Sequence, residues 1–268
     1  MGRTSPRPQG YPSPARHRVP GEGCLMKTLR RACGKLLWVL AGLLAAGGLL
    51  FGCLDQGESA PAFARMTHQT LVIDPGHGGE DGGAVAADGA TESQINLAIA
   101  LELDQLMGFY GVPAVLTRSA DVSIHDESAG TLREKKVSDL HNRVALINSI
   151  ENATLISIHQ NAAPNPRFQG IQVFYREETL SRPLAQQVQQ AMVRALAPAK
   201  QRSAQRVDAS VYLMEHVSCR AILVECGFLS NPEEARLLQE PAYQRKLAMV
   251  LASCYLTSGS SQEGESFV

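Results

Sequence analysis

Past Arg65 the chain alternates short apolar or β-branched runs with longer segments of helical period, a pattern that restricts it to an α/β layered architecture. Residues 69–73, 112–117, 154–159, 170–175 and 221–225 read as strands. The run from Thr154 to His159 is apolar at successive positions, as expected of a strand covered on both faces. Between the strands, residues 92–110 place Ile95, Ile99, Leu103 and Leu106 on one helical face. Ser138 is placed to cap a helix running to Ser149, with Leu140, Val144 and Ile147 on one face, and residues 118–136 before it read as a polar, turn-rich loop. Residues 180–196 form a Gln-rich amphipathic helix, Pro232 suits the first turn of a short one, and residues 242–255 make the last. The expectation is a single α/β domain of three layers over residues 65–258, with a mostly parallel or mixed central sheet flanked by helices and a flexible tail at 259–268.

The first 64 residues have a different character. They carry 8 Lys/Arg against 3 Asp/Glu, whereas the remainder carries 17 against 23, a formal charge of −6. A body of that sign, without basic runs interleaved with aromatics, lacks the footprint for phosphate-backbone binding, so nucleic acid is not expected as a partner. Met26-Lys27-Thr28-Leu29-Arg30-Arg31 reads as a start, which makes Met26 a candidate initiator. The 19 uncharged residues 36–54 follow Lys27, Arg30, Arg31 and Lys35, the order of a basic region feeding an apolar one. This segment is expected to engage a membrane and to direct export, as a signal peptide cleaved after Ala62-Phe63-Ala64 or as a retained anchor. Of the six cysteines, Cys219, Cys226 and Cys254 lie in the body, none in a CxxC pair, so neither a zinc-cysteine module nor a disulfide framework is implied. Cys219 and Cys226 flank one apolar strand and are expected to be small buried thiols rather than a pair.

Two histidines at strand ends and a glutamate opening a helix have the side chains expected of a metal site. Asp74-Pro75-Gly76-His77-Gly78-Gly79 follows the first strand, with glycines that let backbone approach a ligand and let His77 project. Glu92 comes 15 residues later in a helix's first turn, and His159 ends the strand in Ser157-Ile158-His159-Gln160-Asn161. Strand C-termini of an α/β sheet converge on one edge, so His77, Glu92 and His159 can meet although 82 positions separate the histidines. Two histidines and a carboxylate suit catalytic Zn2+ with a fourth position left for water. Glu225, ending the apolar run before Cys226-Gly227-Phe228, reaches the same edge and is free to act as a base. Asn161 and Arg143 line the substrate groove or orient the site; alternatively, Asn161 caps a turn and Arg143 pairs with a helix-face acid. Asp74 is a second-sphere acceptor for a ligand histidine or a turn residue, and His68, His125, His141 and His216 are surface or structural.

With these residues in place, DPGHGG, the glutamate opening ESQINLAIA, SIHQNA and VECGFLSNPEE together resemble the zinc-dependent N-acetylmuramoyl-L-alanine amidases of the Amidase_3 type over residues 69–257. The resemblance implies zinc ligands at His77, Glu92 and His159, a catalytic Glu225, and hydrolysis of the bond between the lactyl carbonyl of muramic acid and the first L-alanine of a peptidoglycan stem. The wording VECGFLSNPEEARLL and the membrane-directed N-terminus resemble the germination-specific, spore-cortex group, whose members prepare cortex for muramic-δ-lactam formation. The 66 positions from His159 to Glu225 are read as two strands, one helix and a turn segment, without the inhibitory helix that division amidases of the family often carry, so dependence on an activating partner or on metal loading is expected instead. Alternatives are a vegetative wall amidase or autolysin, a catalytically silent scaffold, and a zinc carboxypeptidase in which Arg118, Arg133 or Arg143 receives a chain terminus.

Overall fold

The apolar run through Ser157 becomes the centre of the molecule. The structure, a computed structural model, describes residues 69–258; the leader with its apolar stretch 36–54, the Met26 start, the cleavage sequence, His68 and the tail 259–268 lie outside the described residues. Strand β3, Ala153–Asn161, is buried from Ala153 through Ile158 because it has a parallel neighbour on each side. These neighbours are β1, Thr70–Pro75, and β6, Arg220–Phe228. With β2 (Ala114–Leu116), β4 (Gln172–Tyr175) and β5 (Gln205–Arg206) they make one sheet of order β2-β1-β3-β6-β4-β5. The sheet is mixed, since β4 runs antiparallel to β6 while the other pairings are parallel.

Helices cover both faces, giving the three layers expected. On one face lie α1 (Glu92–Phe109), α3 (Arg182–Leu196), α5 (Pro232–Leu238) and α6 (Pro241–Ser258). They pack Ile95, Ile99, Leu103, Leu184, Val188, Leu247 and Leu251 against Ile73, Ile156, Ile158, Ile222 and Val224. On the other face lie α2 (Leu132–Asn148) and the short α4 (Tyr212–His216), packing Ile147, Leu213 and Met214 against Val72, Leu155, Ala221 and Leu223. Side chains alternate along a strand, so His159 and Glu225 share the face of Leu155 and Leu223 and point toward α2 and α4. This parity puts His159 and Glu225 on one side of the sheet, where the start of α1 meets them at the strand ends with Glu92.

Three elements depart from the sequence reading. Helix α2 starts six residues before Ser138, at Leu132, because Thr131 and Glu134 form a reciprocal capping box that satisfies the first free amides. Ser138 instead sits inside the helix and bonds Asp126. The segment before Glu225 also contains α4 and the two-residue β5, neither of which has a readable period. Cys219, Cys226 and Cys254 are all free; the first two stand near opposite ends of β6, which settles their pairing against a disulfide. Among the described residues no helix is long and apolar enough to cross a membrane.

Candidate active site

His77 leaves the sheet at the end of β1 in the left-handed region, φ 62°, followed by Gly78 and Gly79 at φ 143° and 61°. For a residue with a Cβ this conformation is strained and must be held. Two buried arginines hold it. Arg118 donates to the carbonyls of Pro75, Gly76 and Ser93, at 2.8–3.0 Å, and Arg143 donates to those of Pro75 (2.9 Å) and His77 (2.7 Å). Arg143 is 2% exposed, and its remaining donors go to Asp74 (2.6 Å) and to Asp139 (2.7 Å), one turn earlier on α2. It therefore orients the loop and pairs with its own helix's acid, with no donor left for substrate. The same accounting removes Arg118 as a receiver of a chain terminus, and exposed Arg133 lies outside the groove.

Asp74 is buried without touching either histidine. It accepts from Thr117, Ser157 and Arg143, which corrects its expected role as a histidine's acceptor. Burial alone would raise its pKa, but Arg143 and the two hydroxyls outweigh that and lower it to about 2. The acceptor for His77 is Asp81, whose Oδ2 lies 3.0 Å from His77 Nδ1. Sequence reasoning missed Asp81; a carboxylate four residues past a histidine in a glycine-rich turn was the available signal.

Glu92 opens α1 and is 4% exposed. Its Oε1 accepts from the Gln160 amide at 3.0 Å and meets His159 Nδ1 at 2.9 Å. Its Oε2 accepts from the Ala84 amide at 2.9 Å and lies 3.3 Å from His77 Nε2. Burial opposes ionisation of Glu92, but the two histidines prevail and hold it well below the usual carboxylate range. Burial likewise opposes a charge on His77, yet Asp81 and Glu92 raise its pKa to about 9. One donor atom from each of His77, Glu92 and His159 lies within 4.8 Å of the other two, a separation that suits a shared metal ion. Close packing depends on glycine: a Cβ at Gly76 would overlap the His159 ring, and one at Gly83 would crowd Glu92 and His77.

Glu225 stands beside this cluster, in register with His159 on the adjacent strand. Its Oε2 is sealed from solvent and accepts no hydrogen bond within the protein. Burial pushes its pKa up to about 7; His159 and His77 pull it down, whereas Glu92 adds to the rise. A buried carboxyl with an open acceptor and a near-neutral pKa is suited to carrying a proton. Gly76, His77, His159 and Glu225 line a cavity of about 420 Å³ whose opposite wall is Lys136, Leu140, Tyr212 and Leu213 from α2 and α4. A cavity of about 510 Å³ at the other sheet edge, around Asn152, Thr154 and Arg220, contains none of these groups.

The other histidines among the described residues stand apart. His125 bonds Ser123, and exposed His141 and His216 flank the Tyr212 ring. Asn161 ends β3, where its carbonyl accepts the Leu229 amide, and it does not line the cavity.

Residues 71–254 match the sequence profile of the family described as N-acetylmuramoyl-L-alanine amidase. The chain is 36% identical over 184 residues to the germination-specific N-acetylmuramoyl-L-alanine amidase of Bacillus subtilis, covering 68% of this chain and 76% of that protein. It is 28% identical over 242 residues to the N-acetylmuramoyl-L-alanine amidase AmiA of Escherichia coli, covering 74% and 79%. Among solved structures it is similar to the CwlD amidase of Clostridioides difficile in complex with the GerS lipoprotein, with a TM-score of 0.66 and 35% identity over 70% of this chain and 96% of that one. Fold, motif order and profile agree: the chain belongs to the Amidase_3 family of N-acetylmuramoyl-L-alanine amidases, enzymes that hydrolyse peptidoglycan.

Proposed function

We propose that the chain is a zinc-dependent amidase in which His77, Glu92 and His159 hold the metal and Glu225 moves the proton, and that its substrate is the peptidoglycan of the spore cortex. The observation that carries the first part is the convergence of three donors within 4.8 Å, two of which, His77 and His159, line the cavity together with Glu225. The donor set fits, since two imidazole nitrogens and a carboxylate oxygen are ligands of catalytic zinc, and Gly76 and Gly83 leave the rings and carboxylate room to close. When bound, zinc polarises the scissile carbonyl and lowers the pKa of water to about 7.

The rest of the work falls to the chain's own residues. Glu225 Oε2 accepts a proton from the attacking water and returns it to the departing alanine nitrogen, which leaves readily only once protonated. Arg118 and Arg143 keep the β1 loop and His77 in place, so the site is organised before substrate arrives. Leu140, Tyr212 and Leu213 form the apolar wall that limits water around Glu225.

The cortex assignment is supported by the 36% identity to a germination-specific enzyme; similarity to AmiA supports a vegetative wall as the second reading. Action outside the cytoplasm follows from the substrate, and the apolar stretch 36–54 is the means of export or anchoring. Because the CwlD structure is a complex with a lipoprotein, a lipoprotein partner is proposed for this chain too.

Mass spectrometry of digests of vegetative and cortex peptidoglycan, with and without zinc and with a candidate partner added, tests these points together. The expected result is zinc-dependent release of intact stems with a free L-alanine N-terminus, faster from cortex. Release of terminal D-alanine instead would overturn the amidase chemistry, and equal rates on both walls would overturn the cortex preference. His77→Ala and His159→Ala are each expected to lose stoichiometric zinc by elemental analysis, and retention by either removes that residue from the ligand set.

A further inference from the structure

We infer that Asp81 is a positioning residue for His77, and that Lys136 fixes Asp81 in turn, so that helix α2 helps to set how tightly the site holds its metal. This rests on the zinc reading above. His77 uses its two ring nitrogens differently: Nε2 faces Glu92 Oε2 at 3.3 Å, and Nδ1 faces Asp81 Oδ2 at 3.0 Å. A carboxylate on Nδ1 keeps the proton there, directs the free lone pair of Nε2 into the cluster and raises its basicity.

Asp81 is held in its turn. Its Oδ1 accepts from the Gly83 amide at 3.3 Å and from Lys136 Nζ at 2.8 Å, while its backbone bridges to Gly78. Lys136 is 46% exposed on its side chain, so the pair contributes little as charge attraction; what it supplies is orientation. The same helix reaches this loop at neighbouring points, through Lys135 to Glu80 and through Arg143 to the His77 carbonyl. His77 is thus gripped twice from α2, at its carbonyl directly and at its ring through Asp81. That double grip fixes a left-handed residue whose ring would otherwise turn out of the cluster.

The test is the zinc dissociation constant of the full-length protein, measured by competition with a chromophoric chelator. It is run on wild type, Asp81→Asn, Asp81→Ala and Lys136→Met, beside the thermal midpoint of each metal-free protein. Asp81→Ala is expected to bind zinc roughly 10–100-fold more weakly. Asp81→Asn, which still accepts from Nδ1 but lacks the charge, should fall between it and wild type, and Lys136→Met should shift in the same direction by less. Asp81→Asn also gives up charge pairs with His77 and Lys136 that exist without metal, so a small fall in its metal-free midpoint is expected, while the circular dichroism of the metal-free protein should match wild type. Wild-type affinity in Asp81→Ala overturns the inference alone, as does an affinity loss in Asp81→Asn accompanied by an altered circular dichroism spectrum of the metal-free protein. A wild-type protein that takes up no zinc overturns the zinc reading and this inference with it.

Discussion

Glu225→Gln protein is expected to bind zinc as wild type does and to cleave peptidoglycan roughly 10²–10⁴-fold more slowly, the range for losing a positioned proton carrier. Glu225 stands outside the three-donor cluster, so an amide in its place leaves the proposed metal ligands intact. The substitution keeps volume and strand position and removes the ability to accept and return a proton. Oε2, sealed from solvent and without a protein partner, is the atom concerned. Single-turnover rates on purified peptidoglycan, paired with zinc content, check this. A rate within tenfold of wild type at full zinc occupancy would take Glu225 out of the mechanism.

Arg143→Leu is expected to destabilise the fold by about 3–5 kcal/mol at neutral pH, the cost of leaving a buried partner charge unpaired. Asp74 and Asp139 both lose their guanidinium, and the His77 and Pro75 carbonyls lose donors. The pH dependence has a definite sign. In wild type the Asp74 pKa is about 2 against an ordinary value of 3.8, so its contribution to stability is complete above 3.8 and is lost as pH falls through about 2. Without Arg143, burial dominates and Asp74 takes up its proton at higher pH. The stability deficit of the variant should therefore be largest near neutrality and smaller at pH 4. Urea unfolding at the two pH values measures it; a deficit that is equal at both, or below about 1 kcal/mol at neutrality, would show that Arg143 is not the counter-charge of Asp74.

What was legible in the sequence follows from how local each signal is. Strand β3 was readable because both its faces are covered, so the apolar run is unbroken, and His77, Glu92 and His159 were readable because each sits at the end or start of such an element. The start of α2 was misplaced although Thr131 and Glu134 spell out its cap, because the polar surroundings of 118–136 obscured it. Helix α4 spans one turn and β5 two residues, too short to show a period, yet Tyr212 and Leu213 make the groove wall. Arg143 lines the groove, one of the readings its sequence position allows. Only the folded chain shows its donors committed to Asp74, Asp139 and two carbonyls that lie 66 to 69 positions away or one helical turn back.

The pairing of β3 with β6 also bears on when the enzyme is an enzyme at all. His159 and Glu225 face the same way because two central strands, 66 positions apart in sequence, lie side by side in one register from Thr154 opposite Arg220 through His159 opposite Glu225, before a bulge shifts it. Contacts this distant in the chain are slow to form and are made only after long loops have closed. A molecule slipped by one residue in that pairing would turn Glu225 to the opposite face, toward α1 and α6. A misregistered or half-assembled chain is therefore catalytically silent, and activity arrives together with the completed sheet.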